Sequence, residues 1–331
     1  MAERASLRVA TYNLESLDVA PDDEATLARR IAALGPYLTR LEADVICFQE
    51  VNGQRLRRGQ PRELFALSQL CRGTIYEGYQ VASTKGPGGQ GVAELHNLVV
   101  LSRWPFVEVQ EHRHAHVHPP TYRSVTASPP ASAHEQVCWD RPILHVEIAH
   151  PSERRLHVLN LHLRAPLAAP IRGQKRGPFA WKSLAAWAEG YYLAALKRSG
   201  QALEARLLIE RLFDRDREAL IAVCGDFNAE ARETPLRIVL GDDEDTDDPG
   251  LIARQLMAVE GRVPPGGRYS LLHAGRKLML DHILVSRPLH ACLTQTQIHN
   301  WDLQDECLGP KSVAASHHAP IVAVFDLAKG A

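Results

Sequence analysis

Short apolar runs recur along this chain, and most of them stop on a polar residue. Residues 7–12, 44–48, 79–83, 97–102 and 321–325 combine β-branched and other apolar side chains in the manner of β-strands. Residues 141–148 and 155–161 read as a hairpin around Ser152 and Glu153, and residues 219–224 as a short buried strand. A further strand over 278–286 is interrupted by Asp281 and His282. The spacing of Leu27, Ile31, Leu34, Leu38 and Leu41 predicts a helix over 25–41. A shorter helix is expected over 62–71, and one long or two consecutive helices over 181–215, with Gly200 as the break. The proline- and glycine-rich stretches 119–136 and 165–180 read as loops. Residues 85–91 are a loop tip without the Gly-Lys-Ser/Thr that a phosphate-cradling loop requires.

The polar residues that end or break these runs are Asn13, Glu50, His162, Asp226 with Asn228, Asp281 and His318. Asp226 and Asn228, two residues apart at a strand end, point the same way, and they pair an acceptor or base with a neutral donor. Singly, each has an ordinary explanation. Gly-Asp-x-Asn is turn composition, and a lone strand-end histidine is commonly structural. Their recurrence at strand after strand is what points to chemistry. In-line attack on a phosphoester needs a cation on the phosphoryl oxygens, a base near the water, and donors for the charge that builds up.

Composition narrows the class without choosing a substrate. The 331 residues are 45% hydrophobic and 23% charged, as in ordinary globular proteins. A formal net charge of −1 offers no global case for nucleic acid or an anionic membrane, although a local basic patch stays open. Six scattered cysteines, none in Cys-x-x-Cys spacing, argue against a disulfide framework or zinc knuckle. The first residues run into a strand without a signal-like apolar segment, and no run reaches membrane-spanning length, so a cytoplasmic location is expected. His112, His114, His116 and His118 alternate and would share one face of an extended strand, either as a metal site or as solvated polar positions. The acidic run 241–248 lacks calcium-loop spacing and reads as a solvated loop.

In order, Thr-Tyr-Asn-Leu, Phe-Gln-Glu-Val, Leu-Asn-Leu-His-Leu, Gly-Asp-Phe-Asn, Leu-Asp-His-Ile-Leu-Val-Ser and Ser-His-His-Ala-Pro resemble the motifs of the endonuclease/exonuclease/phosphatase superfamily. The resemblance runs from residue 11 to 325. It implies a single domain over 1–331, an α/β four-layer sandwich of two mixed sheets packed face to face with helices outside. It also implies hydrolysis of a phosphoester with Mg²⁺ or Mn²⁺. By motif, Glu50 would be the main metal ligand, with Asn13 beside it in the metal and phosphate shell. Asp226 would orient or deprotonate water, Asn228 would hydrogen-bond phosphoryl oxygens, His162 and His318 would contact the phosphate, and Asp281 would fix the tautomer of His318. Arg164, which would share the face of His162, would be a further phosphate contact.

One departure stands out. The family's closing motif is usually Ser-Asp-His, with the Asp in the metal shell, and His317 occupies that place here. An imidazole brings one nitrogen and no negative charge, which implies weaker Mg²⁺ binding, a tilt toward Mn²⁺ or a softer ion, or a changed substrate. A register slip that makes His317 the catalytic imidazole is the other reading. A second departure is the long insertion after His162, whose Arg172, Lys175 and Arg176 either grip an anionic substrate or solvate a loop. A catalytically impaired binding module for a phosphorylated partner is the alternative function, and a zinc protein built on residues 112–118 a third. Substrates open at this stage are small phosphoesters, lipid headgroups and nucleic acid, with no membrane span and no protein partner expected.

Overall fold

The computed structural model describes residues 6–19, 24–86, 88–242, 244, 247–309 and 314–330. The first half of the chain forms β1 (Ser6–Leu17), α1 (Glu24–Leu41), β2 (Val45–Val51), α2 (Phe65–Cys71), β3 (Gln80–Ser83), β4 (Asn97–Ser102) and β5 (Phe106–His112). It continues through the short pair β6 (Thr121–Tyr122) and β7 (Glu135–Gln136) to β8 (Ile143–Ala149) and β9 (Arg155–His162). The second half holds α3 (Leu184–Arg215), β10 (Leu220–Asp226), α4 (Thr234–Leu240) and β11 (Leu256–Ala258). The small hairpin β12 (Leu271–His273) and β13 (Arg276–Leu278) precedes β14 (Asp281–Ser286), α5 (Arg287–Ala291), β15 (Leu293–Ile298) and β16 (Ile321–Asp326). The acidic run 241–248 lies partly outside the described residues, as does Pro87 of the 85–91 loop.

Two six-stranded mixed sheets result, ordered β15-β16-β1-β2-β4-β3 and β11-β14-β10-β9-β8-β5. Side chains alternate across each strand, so each sheet has an inner and an outer face. Inner positions such as Val9, Val45, Val100, Val146, Val158, Ala222 and Ile283 share one buried cluster. Outer positions of the first sheet, among them Ile46, Phe48 and Val99, pack under Leu34, Leu38 and Leu41 of α1. Outer positions of the second, among them Leu159, Ile221 and Val223, pack under Ile209, Leu212 and Phe213 of α3. The layers therefore run helix, sheet, sheet, helix, as the resemblance implies. Each fully buried Val, Leu or Phe contributes roughly 1.5–3 kcal/mol of transfer free energy.

Strand direction decides where the chemistry sits. β1 and β2 run parallel, as do β9 and β10, whereas β4, β8, β14 and β16 run antiparallel to their neighbours. One edge of the double sheet therefore gathers the ends of β1, β2, β9 and β10 and the beginnings of β4, β8, β14 and β16. Below this edge a buried polar lattice ties the sheets together. Gln49 Nε2 donates to Asn160 Oδ1 at 2.8 Å, and Asn160 Nδ2 donates to the carbonyls of Phe48 and Val99 at 2.9 Å.

Two expectations need correction. Of the two arrangements expected over 181–215 the single long helix holds, and Gly200 is not a break: α3 runs through it, and the glycine makes room for the ring of Trp139. A Cβ there would lie 2.7 Å from Trp139 Cζ3, so the glycine serves packing and does not end the helix. The four alternating histidines do not share a strand either. β5 stops at His112, His114 takes a left-handed backbone (φ 59°), and the chain turns away. His114 packs its ring on Trp139, while His112 stacks on His116 at 5.1 Å.

Candidate active site

At the shared edge, Asp226 and Asp281 face each other as register partners of β10 and β14, and Asp226 is also the partner of His162 in β9. Both carboxylates are buried. Asp226 Oδ2 accepts from Asn13 Nδ2 at 3.0 Å and from Asn228 Nδ2 at 3.2 Å, and it lies 3.4 Å from His162 Nε2. Its Oδ1 accepts the backbone N–H of Asn228 at 2.8 Å. Glu50 stands at the opening, with Oε1 3.5 Å from Asn13 Nδ2 and 3.8 Å from His162 Nε2, and Oε2 3.1 Å from Ser16 Oγ. Asn13 thus bridges the two sheets' carboxylates through its N–H₂, while its Oδ1 accepts from the backbone of Glu15.

The backbone is bent to make this possible. Glu15 (φ 48°), Ser16 (φ 56°), Glu50 (φ 57°) and Asn228 (φ 49°) all occupy the left-handed region. The pairing of β1 with β2 slips between Asn13 and Leu17, and that of β2 with β4 between Phe48 and Val51. Left-handed conformations cost about 1–3 kcal/mol each for residues with a Cβ and cluster where function over-determines them. Four such residues at one edge mark it as a built site.

His318 supplies the other half. Its Nδ1 donates to Asp281 Oδ2 at 2.7 Å, and its backbone N–H is held by Ser316 Oγ, which itself donates to the carbonyl of Asn13. Asp281 therefore pairs with His318 and not with its neighbour. His317 turns the other way, its Nδ1 and backbone N–H both engaged by the Glu15 carboxylate at 2.7–3.0 Å.

Burial and neighbouring charge separate the titrations. Burial pushes Asp226 up to about 7, and repulsion from Asp281 and Glu50 adds to it against the pull of His318. Burial would lower His318, but the adjacent Asp281, with Asp226 and Glu50, outweighs it and lifts this imidazole to about 10. His162 is driven well below its ordinary range, first by burial and then by Arg141, His96 and His318, so it is neutral near pH 7. The site thus holds a neutral imidazole, a charged imidazolium and a carboxyl group poised near neutrality.

Not every expected residue faces the centre. Arg164 lies beyond the end of β9 and pairs with Asp140, which also binds Lys197 Nζ at 2.8 Å. Asn228 spends its side-chain N–H₂ on Asp226 and on the Leu163 carbonyl at 3.0 Å, and its own carbonyl accepts from Arg198 Nη2 at 2.6 Å. Arg172 is tied to the carbonyls of Pro129 and Pro130, and Lys175 lies over the Trp181 ring at 4.3 Å. Two residues outside the strand-end pattern do reach the edge. His96 Nε2 is 3.4 Å from Ser16 Oγ and 3.9 Å from Glu50 Oε2, and its Nδ1 accepts from Arg141 Nη2 at 2.7 Å. Both sit just before strands β4 and β8, whose beginnings lie at this edge.

Among the described residues, Asp226, Asp281 and His318 form the one group of three or more acidic, histidine or cysteine side chains close enough to hold a metal ion. The half-buried Glu50 stands outside this group, at the opening, where it contacts Asn13 and His162. Clustered carboxylate oxygens of this kind, with Asp226 raised first by burial and then by Asp281, fit a hard divalent cation whose charge would offset that repulsion.

No curated protein matches the sequence. The fold has clear structural counterparts, each at low identity. Truncated TDP2 of Caenorhabditis elegans superposes with a TM-score of 0.53 at 14% identity, covering 97% of each chain. An AP endonuclease from Archaeoglobus fulgidus gives 0.51 at 16%, covering 97% of this chain and 99% of the other. The 3′ phosphatase NExo from Neisseria, bound to a product DNA hairpin, gives 0.50 at 15%, with coverages of 97% and 99%. The model of the Endonuclease/Exonuclease/phosphatase family matches residues 10–303, which is most of the chain. With the double sheet and its carboxylate–histidine edge in place, that match settles membership: the chain belongs to the endonuclease/exonuclease/phosphatase family.

Proposed function

We propose that Asp226 deprotonates or orients the attacking water, with His318 and His162 on the phosphoryl group, in a reaction that uses Mg²⁺ or Mn²⁺. The chemistry itself follows from membership: the chain is a metal-dependent phosphoester hydrolase. The observation that carries the assignment is the split of charge states within one hydrogen-bonded cluster. A carboxyl raised to about 7 is suited to general-base work, and an imidazole lifted to about 10 by a carboxylate 2.7 Å away is suited to stabilising developing negative charge.

Glu50 is the residue assigned to the cation, and Asn13, whose N–H₂ contacts both Glu50 and Asp226, keeps these two acids apart and oriented. When bound, the metal would polarise phosphoryl oxygens and lower the pKa of water. His317 is assigned to bracing Glu15, an assignment supported by its two-point contact with that carboxylate. Asn228 and Arg164 are placed at the rim, Asn228 fixing the Asp226 rotamer and Arg164 presenting charge beside Asp140. We also assign residues 1–331 to one functional unit, because residues from Asn13 to His318 build a single site. The solved relatives named with DNA motivate nucleic acid over a lipid headgroup as the substrate class to test first.

Hydrolysis of bis(p-nitrophenyl) phosphate tests this assignment. Turnover should require Mg²⁺ or Mn²⁺, stop with chelator, and fall at least about 10²-fold in Asp226→Ala. Metal-independent turnover, or an Asp226→Ala protein as active as the wild type, would overturn it.

A further inference from the structure

The first turns of α3 are built inside out. Towards the protein they place Ala186, Glu189, Gly190 and Ala194, and towards solvent Leu184, Trp187, Tyr191 and Tyr192. Large rings are outside and small or polar groups inside, the reverse of an ordinary surface helix. The loop that feeds this helix continues the pattern, with Phe179 86% exposed and Trp181 half-buried. Trp187 and Tyr191 stack with ring centroids 5.4 Å apart and planes 27° from parallel, and Tyr192 meets Tyr122 at 5.6 Å. Contiguous exposed rings on a globular surface mark an interaction site.

Charge is segregated on the same segment. Between residues 164 and 198 there are seven lysines and arginines and one carboxylate, in a chain whose formal net charge is −1. That single acid, Glu189, is withdrawn, because its oxygens accept from Ser124, Val125 and Thr126. Arg172, Arg176 and Lys182 are exposed among the rings. Both ends of the segment abut the active site. Arg164 follows His162, and Arg198 donates to the carbonyl of Asn228 at 2.6 Å. Tyr191 lies two helical turns, about 10 Å, from Arg198. A cavity of about 300 Å³ opens at the foot of the strip, between Tyr122, Ile171, Arg172, Leu193 and Lys197.

We infer that the 172–198 segment is a docking surface for a single-stranded polynucleotide, which it delivers to the Asp226 site. This rests on the phosphoester-hydrolase reading and names its substrate class. Exposed base faces stack on rings without regard to sequence, and phosphates between them meet interleaved cations. Duplex DNA keeps its bases stacked on each other and cannot use the rings in this way. Phe179 and Leu184 protrude as tips that a lipid surface could take, but the paired, near-parallel Trp187 and Tyr191 rings among the cations present flat faces suited to bases.

Fluorescence anisotropy with a labelled oligothymidylate of about 16 nucleotides, in chelator so that nothing is hydrolysed, tests the surface. The single strand should bind more tightly than the same label in a duplex. Trp187→Ala/Tyr191→Ala should weaken single-strand binding tenfold or more. Arg172→Gln/Arg176→Gln should flatten the salt dependence by roughly 0.7 in logarithmic slope for each phosphate that is no longer neutralised. Circular dichroism verifies that these exposed replacements leave the fold intact. Equal affinity of wild type and both variants would overturn the inference. So would ring-dependent binding to vesicles of phosphatidylglycerol and phosphatidylcholine without ring-dependent binding of the oligonucleotide. Wild-type turnover of bis(p-nitrophenyl) phosphate is read separately, so failure of the catalytic reading and failure of the docking surface are distinguishable.

Discussion

Asp281 works through its neighbour. Facing Asp226 across an antiparallel pair, it would only repel that carboxylate were its own Oδ2 not bound to His318. Replacing it by asparagine removes the largest attraction that lifts His318 to about 10. In Asp281→Asn, measured in chelator by NMR titration, His318 should return by more than a unit toward its ordinary range. Turnover should fall roughly 10²-fold or more. An unchanged His318 titration would refute the pairing. At this scale the sequence was informative where a polar residue interrupted an apolar run, as at Asp226 and Asp281. It was silent about Ser16, His96 and Arg141, which lie in locally unremarkable polar surroundings and reach the site only through tertiary packing. The swap at position 317 also has a local explanation that composition could not supply, since His317 has found a carboxylate partner in Glu15.

The elements show why His96 and Arg141 were missed. Searching strand ends finds residues on parallel neighbours, but antiparallel neighbours bring their beginnings to the same edge. His96 precedes β4 and Arg141 precedes β8, so the pairing pattern, not the local sequence, locates them. The same limit applied to Gly200, where a helix breaker by composition is a packing residue by contact. Alanine is ordinarily the better helix former by about 0.8–1.0 kcal/mol. Here its methyl would meet the Trp139 ring, which is buried and anchored by its Nε1–H to Glu204 at 2.7 Å. Gly200→Ala should therefore destabilise by about 1–3 kcal/mol in urea unfolding. A gain in stability would show that the ring yields freely.

At the scale of the whole molecule, a cluster of four histidines lies on the outer face of the second sheet. His112, His116, His145 and His157 adjoin one another there, beside Glu204, Arg211 and Arg215 of α3. Burial lowers all four, His145 to about 3, with mutual repulsion and the arginines adding to the effect on His112 and His145. Unfolded, such imidazoles titrate near 6.5. Between those values the unfolded chain binds more protons at these four rings, so the stability they carry is complete above about pH 6.5 and drains away as pH falls toward 3. Urea midpoints should drop across that window, and His145→Phe should shallow the drop. A flat profile would contradict the burial of these rings. The layered architecture was legible through the resemblance carried by the six motifs, whereas the apolar runs and the helical repeat located only the separate strands and helices. This cluster was not, because its members come from a turn and three different strands.

β16 lies between β15 and β1, hydrogen-bonded to both. The last strand of the sheet is thus wedged against the first, and Ser316 clamps the Asn13 backbone from across nearly the whole chain. Contacts so distant in sequence form late, since their loop-closure entropy comes due before any reward. In synthesis β1 lacks one of its two partners until β16 has been made. A nascent chain that already holds Glu50 and Asp226 but not yet Ser316 and His318 has only part of the cluster. In refolding, phosphoesterase activity should return after the tryptophan signal of the α3 layer, an order set by topology alone.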